Sequence, residues 1–242
     1  MIIDVLKKSI PEYKITLPNE NKTFSYRPML VKEEKYIAII NNIKSTFEEK
    51  ILNLCNLVDS CFDNKIKSEH LSITDFQIAL NEIRQKSISE LADFQMVCPE
   101  SGEQVKVQLN LESFKLNTKS KNFTLKTQGN TIFKFENPKV KTLLLLDDYP
   151  KTEEDWFLIL CGSLVEIENE KEKISIKDKS LEEKTSYIEL LQKSDFLEIK
   201  KFIRSNTVSF KINYKLSDST PKEIEVNDFV NFLKFFLVIL TS

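Results

Sequence analysis

From Tyr13 to Tyr26 apolar and polar residues alternate out and back around Pro18-Asn19-Glu20-Asn21, a pattern that predicts a β-hairpin. Arg27-Pro28 ends the second strand, because proline lacks a ladder donor and restricts the residue before it. The charged group Lys32-Glu33-Glu34-Lys35 then opens a long helix. Over residues 31–63, Tyr36, Ile40, Ile43, Phe47, Ile51, Leu54, Val58 and Cys61 recur by fours and threes, which places them on one helical face.

A polar break at Asp63-Asn64-Lys65 follows, and Ser72-Ile73-Thr74-Asp75 supplies capping side chains for a second helix over 76–90. Its apolar side carries Phe76, Ala79, Leu80, Ile83 and Leu91. Phe94–Cys98 alternates as a strand, Pro99–Gly102 turns, and Val105, Val107, Leu109 and Leu111 return on one face as a second hairpin. Residues 115–131 read as a loop or weak edge strand, 131–136 as a strand, and 140–146 as a short helix or strand that periodicity cannot separate. Asp147-Asp148-Tyr149-Pro150 breaks the pattern and divides the chain into 1–146 and 147–242.

The second half predicts a helix from Glu153 to Cys161, strands at 163–168 and 173–176, and helices at 181–192 and 195–204. Val208, Phe210, Ile212 and Tyr214 alternate strictly, and a polar turn at 217–221 leads back to Ile224 and Val226. Both halves thus place a helix before a strand, a polar turn and a return strand, a weak structural repeat. The fold class is α+β, with β-hairpins alternating with amphipathic helices in two weakly related halves.

Composition narrows the function more than the fold. A chain of 242 residues that is 41% hydrophobic holds a real core. Its net charge of -2 gives no bulk case for nucleic acid. With 3 glycines and neither a G-x-G-x-x-G nor a G-x-x-x-x-G-K-[ST] run, a phosphate-cradling loop has no sequence support. Cys55, Cys61, Cys98 and Cys161 lack C-x-x-C spacing and read as buried thiols. With no leader pattern at Met1-Ile2-Ile3-Asp4, a reducing compartment is expected.

Candidate chemistry is sparse. Cys98-Pro99-Glu100-Ser101-Gly102 has the outline of a zinc knuckle, but Ser101 stands where the second thiolate belongs and the turn at 215–221 has no cysteine. His70 is the only histidine and sits in a polar connection away from any nucleophile motif. The acidic clusters at 48–49, 147–148, 153–155 and 182–183 are flanked by lysine or lie at expected helix starts, and for most of them the helix start, where negative charge suits the dipole, is the better explanation. No catalytic residue, metal site, cofactor or small-molecule substrate is therefore expected. Phe229 to Leu240 is nearly all apolar but too short to span a bilayer, so it is to be buried by this chain or by a partner.

Leu17-Pro18, Tyr26-Arg27-Pro28 and Val31-Lys32-Glu33-Glu34-Lys35 resemble the opening signature of the T-even-type phage baseplate protein family. Arg84-Gln85-Lys86-Ser87-Ile88-Ser89-Glu90 is similar to the family's R-x-K-S-V-G-E, with Ser89 in place of glycine. Phe133–Pro138 and the stretches 179–191 and 196–203 resemble its midpoint element and C-terminal helices. The resemblance implies a non-enzymatic baseplate hub subunit or hub assembly factor of a contractile phage tail. It implies docking onto other hub or tail proteins, in the host cytoplasm during assembly and in the virion if the chain is retained.

The candidates for partner contact are Arg27, Lys32, Glu33 and Glu34, together with Phe232, Phe235 and Phe236. The alternative is a nucleic-acid-binding phage accessory protein, using the Lys-rich 115–126 segment with Phe123 as a stacking ring. The charge balance speaks against that alternative, and the short apolar stretch speaks against a membrane role.

Overall fold

The computed structural model describes residues 9–117 and 121–240. Residues 1–4, read above for a leader pattern, and residues 118–120 of the Lys-rich segment lie outside that range. Strands β1 (Tyr13–Leu17) and β2 (Lys22–Tyr26) form the first hairpin, with Tyr13 opposite Tyr26 and Leu17 opposite Lys22. Asn21 adopts φ 52° in the turn, a left-handed conformation that asparagine tolerates.

The long helix expected over 31–63 is two helices. A 3₁₀ turn at Val31–Glu33 leads into α1 (Glu34–Asn41), and α2 runs from Phe47 to Cys61. Between them Thr46 caps α2: its Oγ1 accepts the Glu49 amide at 3.1 Å while Glu49 accepts the Thr46 amide at 2.8 Å. This reciprocal capping box starts a new helix where the apolar spacing alone ran through. Ile43, assigned to the apolar face by that spacing, falls in the break and is 94% exposed.

Helix α3 (Ile73–Ser87), capped by Ser72, is the hub of the packing and touches β1, α2, β10 (Thr207–Lys215) and α7 (Phe229–Ile239). Ile73, Phe76, Ala79, Leu80 and Ile83 are buried, and so are Thr74, Asp75, Gln77, Asn81, Arg84 and Gln85. Leu91, placed with this helix by its spacing, is instead the first residue of β3 and is 43% exposed.

The remaining strands are β3 (Leu91–Val97), β4 (Gln104–Asn110), β5 (Lys115–Asn117), β6 (Asn122–Lys126), β7 (Ile132–Glu136), β8 (Leu164–Glu168), β9 (Lys173–Ser175) and β11 (Pro221–Val226). They form an antiparallel β3–β4 hairpin, a β11-β10-β5 sheet and a β6-β7-β8-β9 sheet. Strands from either side of Asp147–Pro150 pair in both larger sheets, β7 with β8 and β5 with β10. The ambiguous stretch after β7 is a 3₁₀ helix at Val140–Leu145.

Helices α4 (Glu153–Ser163), α5 (Leu181–Ile188) and α6 (Lys193–Ser205) complete the α+β fold. Helix α4 packs on α5, α6 and β7. Gly162 brings it onto the 3₁₀ helix, where an added Cβ would stand 2.5 Å from Thr142 Oγ1.

Candidate partner-binding site

The signature segment folds around a buried ion pair. Arg27 leaves β2 with its side chain turned inward, because proline at 28 cannot extend the strand and Arg27 N–H bonds instead to Cys61 O at 2.9 Å. Its Nη2 donates to Glu33 Oε1 at 3.0 Å and to Ser60 O at 2.8 Å, and its Nη1 donates to Pro28 O at 2.9 Å. Ser60 Oγ donates to Glu33 Oε1 at 2.6 Å, and the Leu30 amide donates to Glu33 Oε2 at 2.7 Å. Glu33 is fully buried.

Burial alone would raise the Glu33 carboxyl, but hydrogen bonds from Arg27, Ser60 and Leu30 outweigh it and hold the group below the ordinary glutamate range. Arg27 Nε also lies 3.4 Å from Asp63 Oδ1, and Asp63 and Asn64 end α2 with φ 51° and 56°. Hairpin, α1 and α2 are thereby fixed to one another. Tyr26, Arg27, Leu30, Lys32 and Asp63 border a cleft of about 450 Å³ beside this pair.

The neighbouring signature residues point outward. Lys32 and Glu34 are exposed, and beside them on the same segment are exposed Val31, Ile39 and Ile43. The segment thus has a buried charged half and a solvent half that mixes apolar and charged residues.

The aromatic candidates lie elsewhere and inward. Phe232 and Phe236 are buried in this chain's own core and stack at 5.6 Å, and half-buried Phe235 sits edge-on to Phe94 at 4.7 Å. Phe210 contacts both Phe232 and Phe235. Of the fates open to the terminal apolar stretch, α7 takes burial by its own chain.

Phe123, the stacking ring of the nucleic-acid alternative, is half-buried and already stacked on Phe202, with centroids 5.1 Å apart and planes at 26°. His70 is exposed beside Glu69, at 3.5 Å. Cys98 is buried with its Sγ 3.3 Å from the Tyr214 hydroxyl, and hydrogen bonds from Ser101 and Tyr214 bring its thiol down to about 7. The turns at 98–103 and 216–220 do stand together, as a zinc ribbon requires: the Ser217 amide donates to Glu103 Oε1 at 2.8 Å. Among the described residues no group of three or more His, Cys, Asp and Glu is placed to hold a metal ion.

A second polar junction escaped the sequence reading. Asp75 Oδ1 accepts the Asn19 amide at 3.1 Å and Asn19 Nδ2 at 3.0 Å, and its Oδ2 accepts the Glu20 amide at 3.0 Å. Asn137 Nδ2 donates to Asn19 Oδ1 at 3.1 Å, and Asn206 Nδ2 donates to Asn137 Oδ1 at 2.8 Å. Gln77 Oε1 accepts Thr207 Oγ1 at 2.9 Å and the Val208 amide at 3.3 Å. The apolar stripe read from the sequence describes one side of α3, whereas its polar residues Thr74, Asp75, Gln77, Asn81, Arg84 and Gln85 are buried as well.

The N-terminal and midpoint segments that carry the resemblance meet at α3. The hairpin turn meets Asp75, the Met29 amide donates to Ser87 Oγ at 2.8 Å, and the Ile73 amide donates to Pro138 O at 2.9 Å. Ser89 keeps a backbone without positive φ, so that position does not demand glycine. Among the described residues no helix is long and apolar enough to cross a membrane. No curated protein and no solved structure matches the chain. A family model described as T4 bacteriophage base plate protein matches residues 10–236, and the chain belongs to that family of phage baseplate proteins.

Proposed function

We propose that this chain is a non-enzymatic hub subunit or hub assembly factor of a contractile-tail baseplate, acting by docking onto other hub or tail proteins. The observation that carries the reading is the signature segment of a baseplate family folded with Arg27 and Glu33 locked inside while Lys32 and Glu34 project beside Val31, Ile39 and Ile43. Exposed apolar residues interspersed with charges of both signs suit a protein partner, whose interface combines apolar and polar contacts. In this reading Lys32 and Glu34 touch the partner, and Arg27 and Glu33 position them. Phe232, Phe235 and Phe236 contribute by holding α7 in the core.

Counting this chain's peptides in purified virions and in infected-cell lysate tests the assignment. A fixed ratio to other baseplate proteins in virions makes it a hub subunit, and abundance in lysate with absence from virions makes it an assembly factor. If no tail protein co-purifies with it from infected cells, the reading fails.

A further inference from the structure

One long strand edge is left open. Cys98 N–H donates to Glu103 O at 2.8 Å and Leu111 N–H to Glu90 O at 2.8 Å, so the even-numbered residues of β3 carry the backbone bonds to β4. The backbone groups of Leu91, Asp93, Gln95 and Val97 therefore point to the outer edge. Leu91 N–H is taken by Ser89 Oγ at 3.0 Å, and among the described residues no strand pairs with that edge.

Other edges are protected in ways that β3 is not. Strand β11 opens with Pro221 and carries Lys222, Glu223 and Glu225, and β9 has three residues. Strand β3 runs seven residues with no proline, no lysine and an unbroken register, and its Leu91 and Val97 are 43% and 57% exposed. An edge of this kind is a template for another strand.

We propose that β3 pairs antiparallel with β3 of a second copy of this chain, about a two-fold axis at Phe94, joining two hairpins into one four-stranded sheet. The occupant follows from the sequence of the edge. A two-fold at Phe94 sets Leu91 opposite Val97 and Asp93 opposite Gln95, so apolar meets apolar and carboxylate meets amide, with no like charges opposed. Each Asp93/Gln95 pair exchanges two backbone hydrogen bonds, and with Val97 N–H to Leu91 O the edge forms about six. So small a contact makes a weak, concentration-dependent dimer.

Sedimentation equilibrium of the full chain tests this. The weight-average mass rises from 28.3 kDa toward twice that value as concentration goes from about 1 to 100 µM. Gln95→Asp, at an exposed site, sets two carboxylates opposite each other twice per interface and raises the dissociation constant at least about tenfold. Adding Asp93→Lys to Gln95→Asp sets ammonium opposite carboxylate and restores the dimer. As a check that needs no variant, the Asp93, Gln95 and Val97 amides of the wild-type chain gain hydrogen-exchange protection with concentration. A monomer throughout, a Gln95→Asp dimer as tight as wild type, a double variant that stays monomeric, or unchanged exchange overturns the proposal.

Discussion

Arg27 and Glu33, six positions apart across a proline turn, meet inside the protein with Nη2 and Oε1 3.0 Å apart and side chains 9% and 0% exposed. The pair joins the end of β2 to the entry of α1, and Ser60 extends it to α2. A charge pair so placed is costly to break, because either partner alone is a charge without water.

Arg27→Met is expected to lower stability by about 3–5 kcal/mol in urea unfolding, and removing Glu33 as well recovers part of the loss. Because the folded Glu33 carboxyl is held low, its contribution is present above the unfolded glutamate value and disappears as pH falls through the depressed folded one. Glu33→Gln removes that acid-side dependence, which stability measured as a function of pH reads directly.

Asp75 shifts the other way. Burial pushes its carboxyl up, against the hydrogen bonds from Asn19 and Glu20. Its linked contribution is fully present below the unfolded aspartate value and is lost as pH rises through the raised folded value. Asp75→Asn abolishes this slope and leaves one acceptor for three donors, at a cost of about 1–3 kcal/mol. Hydrogen exchange at the Asn19 and Glu20 amides accelerates in the variant.

Phe236→Ala empties a position in the stack with Phe232 and costs about 3–5 kcal/mol in the same unfolding assay. A variant that stays as stable as wild type contradicts the placement of α7 in the core.

Ile43→Lys changes stability by no more than about 0.5 kcal/mol, since the residue sits in solvent. Under the docking reading it nevertheless weakens recovery of tail proteins from infected cells, as does replacing Lys32 and Glu34 together. Thr46→Ala, by contrast, costs about 1 kcal/mol through loss of the α2 cap.

Most elements were legible because local pattern and burial agree in them. The β3–β4 hairpin shows this: Val105, Val107 and Leu109 alternate in the sequence and are all buried. The break at 42–46 was not legible from periodicity, because Ile43 keeps the spacing although the Thr46–Glu49 box ends it. Of the candidate site, the exposure of Lys32 and Glu34 followed from their chemistry, whereas the inward turn of Arg27 and Glu33 did not. Charged residues read as solvated unless a partner distant in sequence, here Ser60, completes their hydrogen bonds.

By itself the sequence determined the alternation of hairpins and helices, the stop at Arg27-Pro28, the cap at Ser72 and the family signature, all properties of neighbouring residues. Tertiary structure alone decided which polar groups are buried and what covers the apolar helix. Asp75 meets Asn19 and Glu20 from 56 and 55 positions away, and Asn206 meets Asn137 from 69. Those partners are chosen by packing around α3, and a periodic pattern carries no information about which distant surface comes to lie against it.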